Sequence, residues 1–219
     1  MIIVIDGPAG SGKSSTAKAV AQKAGLIYLD SGALYRAVTL IYVRSGEDDL
    51  VFFERLKASK LRFDFVNNQF RIWLNNEEVS SFIRGHEVSS RVSVVAAKKD
   101  VRSFVNEYLH TVVKKGSFIA DGRDLATVVF PDAQLKIYMI ASIQARAERR
   151  YNELTEMGQA ANLNEIENNL LERDQIDSGR KEAPLKKHED AIELDTSNLT
   201  FDGQVEEIIK LIHSKGLIN

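Results

Sequence analysis

Gly7-Pro8-Ala9-Gly10-Ser11-Gly12-Lys13-Ser14 fits the pattern G-x-x-x-x-G-K-[ST] and follows directly on the apolar run Ile2-Ile3-Val4-Ile5. Glycines at this spacing let the backbone curl until successive N–H groups converge on a β-phosphate, and the lysine reaches the β/γ oxygens. The Ser14 hydroxyl is the candidate ligand for Mg²⁺, with Ser15 continuing the cradle. A helix opening here adds the positive end of its dipole. The pattern needs a strand before it and a helix after it, and Ala17, Val20, Ala21 and Ala24 supply a helical stripe that Gly25 closes. The chemistry predicted is the binding of a nucleoside triphosphate.

A second set of anion-binding residues lies away from this loop: Arg36, Arg102, Arg123, Arg173 and Arg180. Arginine grips phosphate at two points with a planar fork and stays charged at any working pH. Each of these alone reads as a solvated surface charge. Set at predicted strand ends and helix starts, they suit a second phosphate. Phosphoryl transfer between two phosphates needs positive groups on donor, acceptor and the group in flight, because the protein contributes mainly positioning and charge stabilisation. No Asn-Lys pair occurs, so the guanine-reading motif of a GTP switch is missing. The chain is also too short for a motor and has no signature segment of a transporter ATPase.

The elements that must position these residues follow from periodicity. At 219 residues and 44% hydrophobic, the chain predicts one α/β domain over 1–219. Apolar runs at Ile2–Ile5, Leu26–Leu29, Phe118–Ala120, Leu135–Ile140 and Ala191–Leu194 alternate with helical stretches, which predicts a mostly parallel five-stranded sheet flanked by helices. Helices are expected from Ser31 to Arg44, Asp49 to Ser59, and His86 to Lys114 with a break at Ala97-Lys98. Others are expected from Ile143 to Met157 and Leu163 to Gln175, and a last one after Thr200. Leu61-Arg-Phe-Asp-Phe and Phe70-Arg-Ile-Trp-Leu alternate at period two around Asn67-Asn68-Gln69, the pattern of a β-hairpin inserted in a parallel chain. An insertion over about 60–95 and a short helical lid over about 148–165 are expected as additions to the domain.

Composition narrows the partners. A net charge of −2 supplies no basic field for a nucleic acid polymer, so a small anionic ligand is expected. The chain has no cysteine, and His86, His110, His188 and His213 show no metal-ligand spacing. No apolar stretch approaches the ~18 residues of a membrane span, and the N-terminus begins in a core strand, so a soluble cytoplasmic protein is expected; it is read as monomeric or weakly associating.

Three motifs together make the chain recognisable: Asp30-Ser31-Gly32-Ala33-Leu34-Tyr35-Arg36, Asp121-Gly122-Arg123-Asp124 followed by Thr127-Val128-Val129-Phe130-Pro131-Asp132-Ala133, and Arg173-Asp174 with Asp177 and Arg180. With the P-loop they resemble the bacterial cytidylate kinases, nucleoside monophosphate kinases of the P-loop fold, over nearly the whole chain. The resemblance implies transfer of the γ-phosphoryl group of MgATP to CMP or dCMP. It implies that Ser31, Tyr35, Arg36, Arg123 and Arg180 clamp the acceptor phosphate, with Lys13, Arg123 and Arg180 catalytic. Arg173 and Asp177 would meet the ribose and hold one another, and Ser93, Arg102 and Asp124 would read the base. A carboxylate suits the N4 amino donor of cytosine and repels the carbonyl of uracil. Arg146, Arg149 and Arg150 would line the lid and reach ATP. One departure is visible: Ala126 stands where the family has glycine, which predicts a stiffer turn.

On the residues alone, Asp124 and Asp177 also read as turn or capping aspartates, and the three lid arginines as a solvated helix face. Glu165, Glu167 and Glu172 read as solvated surface. Two other functions stay open: a P-loop kinase for another small acceptor such as shikimate or a different nucleotide, and a nucleotide-sensing switch without turnover. A switch has no use for a second phosphate clamp.

Overall fold

The computed structural model describes residues 1–66 and 69–218. In chain order the elements are β1 (Ile2–Asp6), α1 (Lys13–Ala24), β2 (Ile27–Asp30), α2 (Ser31–Arg44), α3 (Asp49–Ala58), β3 (Leu61–Val66), β4 (Gln69–Leu74) and β5 (Glu77–Glu78). Then come α4 (His86–Ala96), α5 (Lys99–Val112), β6 (Phe118–Gly122), β7 (Leu135–Ile140), α6 (Ile143–Glu156), α7 (Leu163–Gly179), β8 (Ile192–Asp195) and α8 (Phe201–Ser214). They divide into two compact units, one of Met1–Ile27 with Gly116–Asn219, the other of Tyr28–Lys115.

The first unit is built on the parallel sheet, whose five-strand order is β2-β6-β1-β7-β8. Ile27, the first residue of β2, joins it through its N–H to the Ser117 carbonyl at 2.9 Å. Ile3, Val4 and Ile5 of β1 are fully buried, as is Ile119 of the neighbouring β6. Strands covered on both faces need such unbroken apolar runs. The register sets Asp6 beside Gly122 on one side and Tyr138 on the other, so β1 and β6 end together at the same rim and β7 runs two residues further. The last helix, α8, buries Val205, Ile208 and Ile212 and is capped by the Thr200 hydroxyl, which accepts from the Gly203 N–H at 3.1 Å.

Three local expectations change. β6 continues through Asp121 and Gly122, so the expected polar turn begins only at Arg123. It leads into a π-helical turn, Leu125–Val129. Helix α7 continues past Gln175 to Gly179, which puts Asp174 and Asp177 on a helix whose terminus is Arg180. Isolated sequence windows under-read both ends because the partners that extend them lie far along the chain.

In the second unit Asp30 caps α2, its carboxylate accepting from the Ala33 N–H at 2.8 Å, and Asp48 caps α3 in the same way at Val51. The break between α4 and α5 falls at Ala97-Lys98, as expected. β3 and β4 pair antiparallel from Leu61↔Leu74 to Val66↔Gln69, and the short β5 adds a third strand through Trp73↔Glu78. The hairpin's Asn67-Asn68 turn lies outside the described residues.

Candidate active site

The phosphate loop begins where β1 ends. Gly7 takes φ 151°, and a Cβ there would lie 2.0 Å from the Met139 carbonyl oxygen, so only glycine lets the chain leave the sheet here. Gly12 takes φ 92° and caps α1 with no side-chain partner, which leaves the first N–H groups of the helix pointing into the loop. A Cβ on Gly12 would meet the Gln204 carboxamide at 2.9 Å, and that oxygen accepts from Thr16 Oγ1 at 3.0 Å. Helix α8 thus supports the cradle from outside.

Lys13 is buried, and its Nζ donates to the Pro8 carbonyl at 2.6 Å and to Ser11 Oγ at 3.3 Å. Burial first, then the Arg123 guanidinium, hold this ammonium well below the usual lysine range. Arg173 is pushed down in the same sense, by burial and then by Arg123. Its buried Nε has no hydrogen-bond partner among the described residues. Arg123 thus acts on both Lys13 and Arg173, an arrangement of positive groups suited to an anion.

Aspartates hold these cations in place. Arg123 Nε donates to Asp177 Oδ2 at 2.9 Å, and Asp177 Oδ1 stands 3.9 Å from Arg180. On its other side Arg180 lies 3.9 Å from Asp124 Oδ1 and donates to the Ala183 carbonyl at 2.9 Å. Asp177 therefore braces Arg123 and Arg180, and its charge also acts on Arg173. Asp124, Asp177 and Arg180 are each about 5–7% exposed at the side chain, so none is a solvated surface charge.

Two of the lid arginines turn onto the loop. Arg146 donates to the Ala9 carbonyl at 3.0 Å, the Ala141 carbonyl at 3.1 Å and Asp174 Oδ2 at 2.6 Å. Arg149 donates to the Ser11 carbonyl at 3.2 Å, to Thr196 Oγ1 at 3.1 Å and to the Thr196 carbonyl. Arg150 is exposed and pairs with Glu153 at 2.6 Å. Glu165 and Glu172 are exposed and Glu167 is partly so. Asp174→Asn keeps the shape of the side chain but leaves the buried Arg146 without its anion. We expect a loss of about 2–3 kcal/mol, read as a lower urea midpoint.

The acceptor residues predicted in the second unit form their own group. Arg36 donates to Ser89 Oγ at 2.8 Å and to the Ile83 carbonyl at 3.2 Å. The Tyr35 hydroxyl donates to Asn106 Oδ1 at 3.4 Å, and the buried Arg102 guanidinium lies 5.6 Å from the Tyr35 ring centre. Ser31, the first residue of α2, and Ser93 on α4 are both buried.

Sequence reasoning missed Asp121 and Asp6. Ser14 Oγ donates to Asp121 Oδ2 at 2.7 Å, placing a carboxylate beside the hydroxyl expected to hold Mg²⁺. The signal available was an acidic residue ending an apolar strand, but nothing local named its partner. No cluster of three or more His, Cys, Asp or Glu able to hold a metal occurs among the described residues. One hydroxyl with one carboxylate is a hard oxygen set of the kind Mg²⁺ uses when phosphates complete its shell. Asp6 is buried, and burial pushes its carboxyl up to about 7. A carboxyl that ionises near pH 4 in the unfolded chain and near 7 in the folded one favours folding below pH 4, and that contribution is lost as pH rises through 7. The urea midpoint of Asp6→Asn should therefore gain relative to the parent between pH 5 and 8.

A parallel sheet with a glycine cradle at its strand ends, a buried lysine inside it and braced arginines beside it defines a P-loop nucleotide phosphotransferase. The family described as cytidylate kinase matches residues 3–214. The chain is 41% identical over 216 residues to the cytidylate kinase of Listeria innocua, covering 97% of this chain and 96% of that one. It is 44% identical over 217 residues to that of Chloroherpeton thalassium, covering 96% and 92%. The chain belongs to the cytidylate kinase family. A crystal structure of an uncharacterized protein from Eubacterium ventriosum shares the fold with a TM-score of 0.53 at 14% identity, covering 98% of this chain and 99% of that one. Among the described residues no helix is long and apolar enough to cross a membrane.

Proposed function

We propose that this chain carries out the reaction of its family, moving the γ-phosphoryl group of MgATP onto CMP or dCMP to give the diphosphate and ADP. The observation that carries it is the placement of Arg123, held by Asp177 at 2.9 Å, close enough to act on the buried Lys13 of the glycine cradle and on the largely buried Arg173. Such a group suits a polyanion, and a triphosphate alone engages the loop and Lys13 without needing Arg123 after β6 or Arg173 on α7.

Roles follow from the side chains. The N–H groups of residue 7 and residues 9–15, together with the Lys13 ammonium, hold the donor phosphates, with Arg146 and Arg149 tying the loop's carbonyls so that its N–H groups stay turned inward. Ser14 and Asp121 would hold Mg²⁺, which neutralises charge between the β- and γ-phosphates when bound. Arg123 and Arg180 stabilise the group in flight, kept rigid by Asp177. Arg173, with Asp177, takes the ribose. Ser31, Tyr35 and Arg36 take the acceptor phosphate, and Ser93, Arg102 and Asp124 read cytosine. The acceptor oxygen attacks in line, so no covalent enzyme intermediate forms. Arg150, paired with Glu153 on the surface, takes part only when the lid of about 148–165 folds over ATP. The protein works as a cytoplasmic monomer without nucleic acid.

The test is ADP release from MgATP with no acceptor, then with CMP, dCMP, UMP, AMP, GMP or shikimate in turn. Release that depends on CMP or dCMP supports the reading. Equal release with every acceptor, or with none, overturns it.

A further inference from the structure

Asp6 is assigned no part in binding either nucleotide, yet it occupies the junction between the two halves of the chemistry. It is the last residue of β1, immediately before Gly7 of the phosphate loop, and is 1% exposed. Its Oδ1 accepts from the Leu125 N–H at 3.0 Å and its Oδ2 from the Ala126 N–H at 2.7 Å. Those are the first two residues of the π-helical turn, the two that directly follow Arg123 and Asp124. The turn closes on itself through the Asp124 carbonyl, which accepts from Val128 at 2.9 Å and Val129 at 3.3 Å. The leading N–H groups of any helical turn have no partner within it, and an outside acceptor fixes where the turn starts.

A buried carboxylate is a costly way to satisfy two N–H groups that a serine or a water could serve singly. What only a carboxylate supplies is two acceptors on one rigid plane, spanning consecutive N–H groups with no donor of its own. That geometry fixes the orientation of the peptides after Asp124, and hence where the Arg123 and Asp124 side chains leave the backbone. Alanine at 126 is compatible with it: residue 126 is not among the described non-glycine residues with positive φ, and its N–H is one of the two donors. The stiffening expected from the missing glycine becomes a fixed start to the turn.

We propose that Asp6 is a positioning residue that ties the phosphate loop to the base-reading segment and sets the acceptor specificity carried by Asp124. The inference rests on the function proposed above. Burial pushes the Asp6 carboxyl up to about 7, with the Asp124 carboxylate adding to the effect and Lys13 opposing it, which agrees with a group retained for its geometry at a cost in stability.

The experiment compares the parent with Asp6→Asn and Asp6→Ser. Asparagine keeps the shape but turns an amide donor toward an N–H, and serine removes that clash while offering one acceptor. Thermal melts and ATP affinity report on the fold and the phosphate loop, and kcat/KM for CMP and UMP reports on the acceptor side. We expect whichever variant folds to bind ATP within about threefold of the parent, to need at least tenfold more CMP, and to lose at least tenfold of the CMP over UMP preference. An unchanged preference, or ATP and CMP affinities that fall together, overturns the positioning role. A parent enzyme with no CMP preference at all overturns the function itself, and this inference with it. If neither variant folds, Asp6 is a stability element and the proposal fails.

Discussion

Arg180→Lys lowers kcat for CMP by about 10³-fold or more in a chain that remains folded, with the KM for ATP changed only a few-fold. An arginine beside the phosphoryl group in flight is worth about 10³–10⁵ in rate. Lysine preserves the charge and loses the planar fork. The surroundings sharpen the expectation, because the Arg180 side chain is 5% exposed and stands 3.9 Å from both Asp124 and Asp177. A lysine ammonium there is shorter and cannot meet both aspartates while reaching a phosphate. Steady-state kinetics with a thermal melt as control is the measurement. A folded variant with kcat within about threefold of the parent, under roughly 1 kcal/mol, would remove Arg180 from the transition state.

Asp124→Asn should act on specificity. A site built to hydrogen-bond a substrate group rejects analogues lacking it by about 10⁴ or more, because its own buried polar group is left unmatched. The Asp124 side chain is 5% exposed, so that penalty applies in full to UMP, whose carbonyl faces a carboxylate. Asparagine offers an oxygen and an amide nitrogen in the same place and can serve either base. The ratio of kcat/KM for CMP to that for UMP is expected to fall about 10³-fold, mostly through improved use of UMP. A ratio left unchanged would move base recognition to Ser93 and Arg102 alone.

The residues whose roles could be read along the chain are those whose signals are local. The phosphate loop lies between an apolar strand and an apolar helical stripe, so three kinds of pattern agree within its first 25 positions. The start of the last helix after Thr200 follows from a side chain that acts within four residues, and the break at Ala97-Lys98 is likewise marked along the chain. Asp121 meets Ser14 across 107 positions, and Asp6 meets Leu125 and Ala126 across 119 and 120. Pairings of that length are set by strand order, and no periodicity encodes them. The arginines of α6 show the same limit. Arg146 and Arg150 lie one helical turn apart, and the sequence gives both the same reading, yet Arg146 is buried against the Ala9 carbonyl and Arg150 lies in solvent with Glu153. The π-helical turn after Asp124 was equally illegible, since the acceptor that fixes its first N–H groups is the last residue of the sheet's central strand, about 120 positions earlier in the chain.

The most direct test of the account follows the phosphorus atoms themselves. Incubation of the protein with MgATP and CMP, monitored by ³¹P NMR, should show the CMP resonance replaced by the paired resonances of CDP while ATP gives an equal amount of ADP, with no inorganic phosphate. Omitting CMP should leave ATP intact. ADP with inorganic phosphate and no CDP would make the chain a hydrolase or a switch and contradict phosphoryl transfer to a nucleotide.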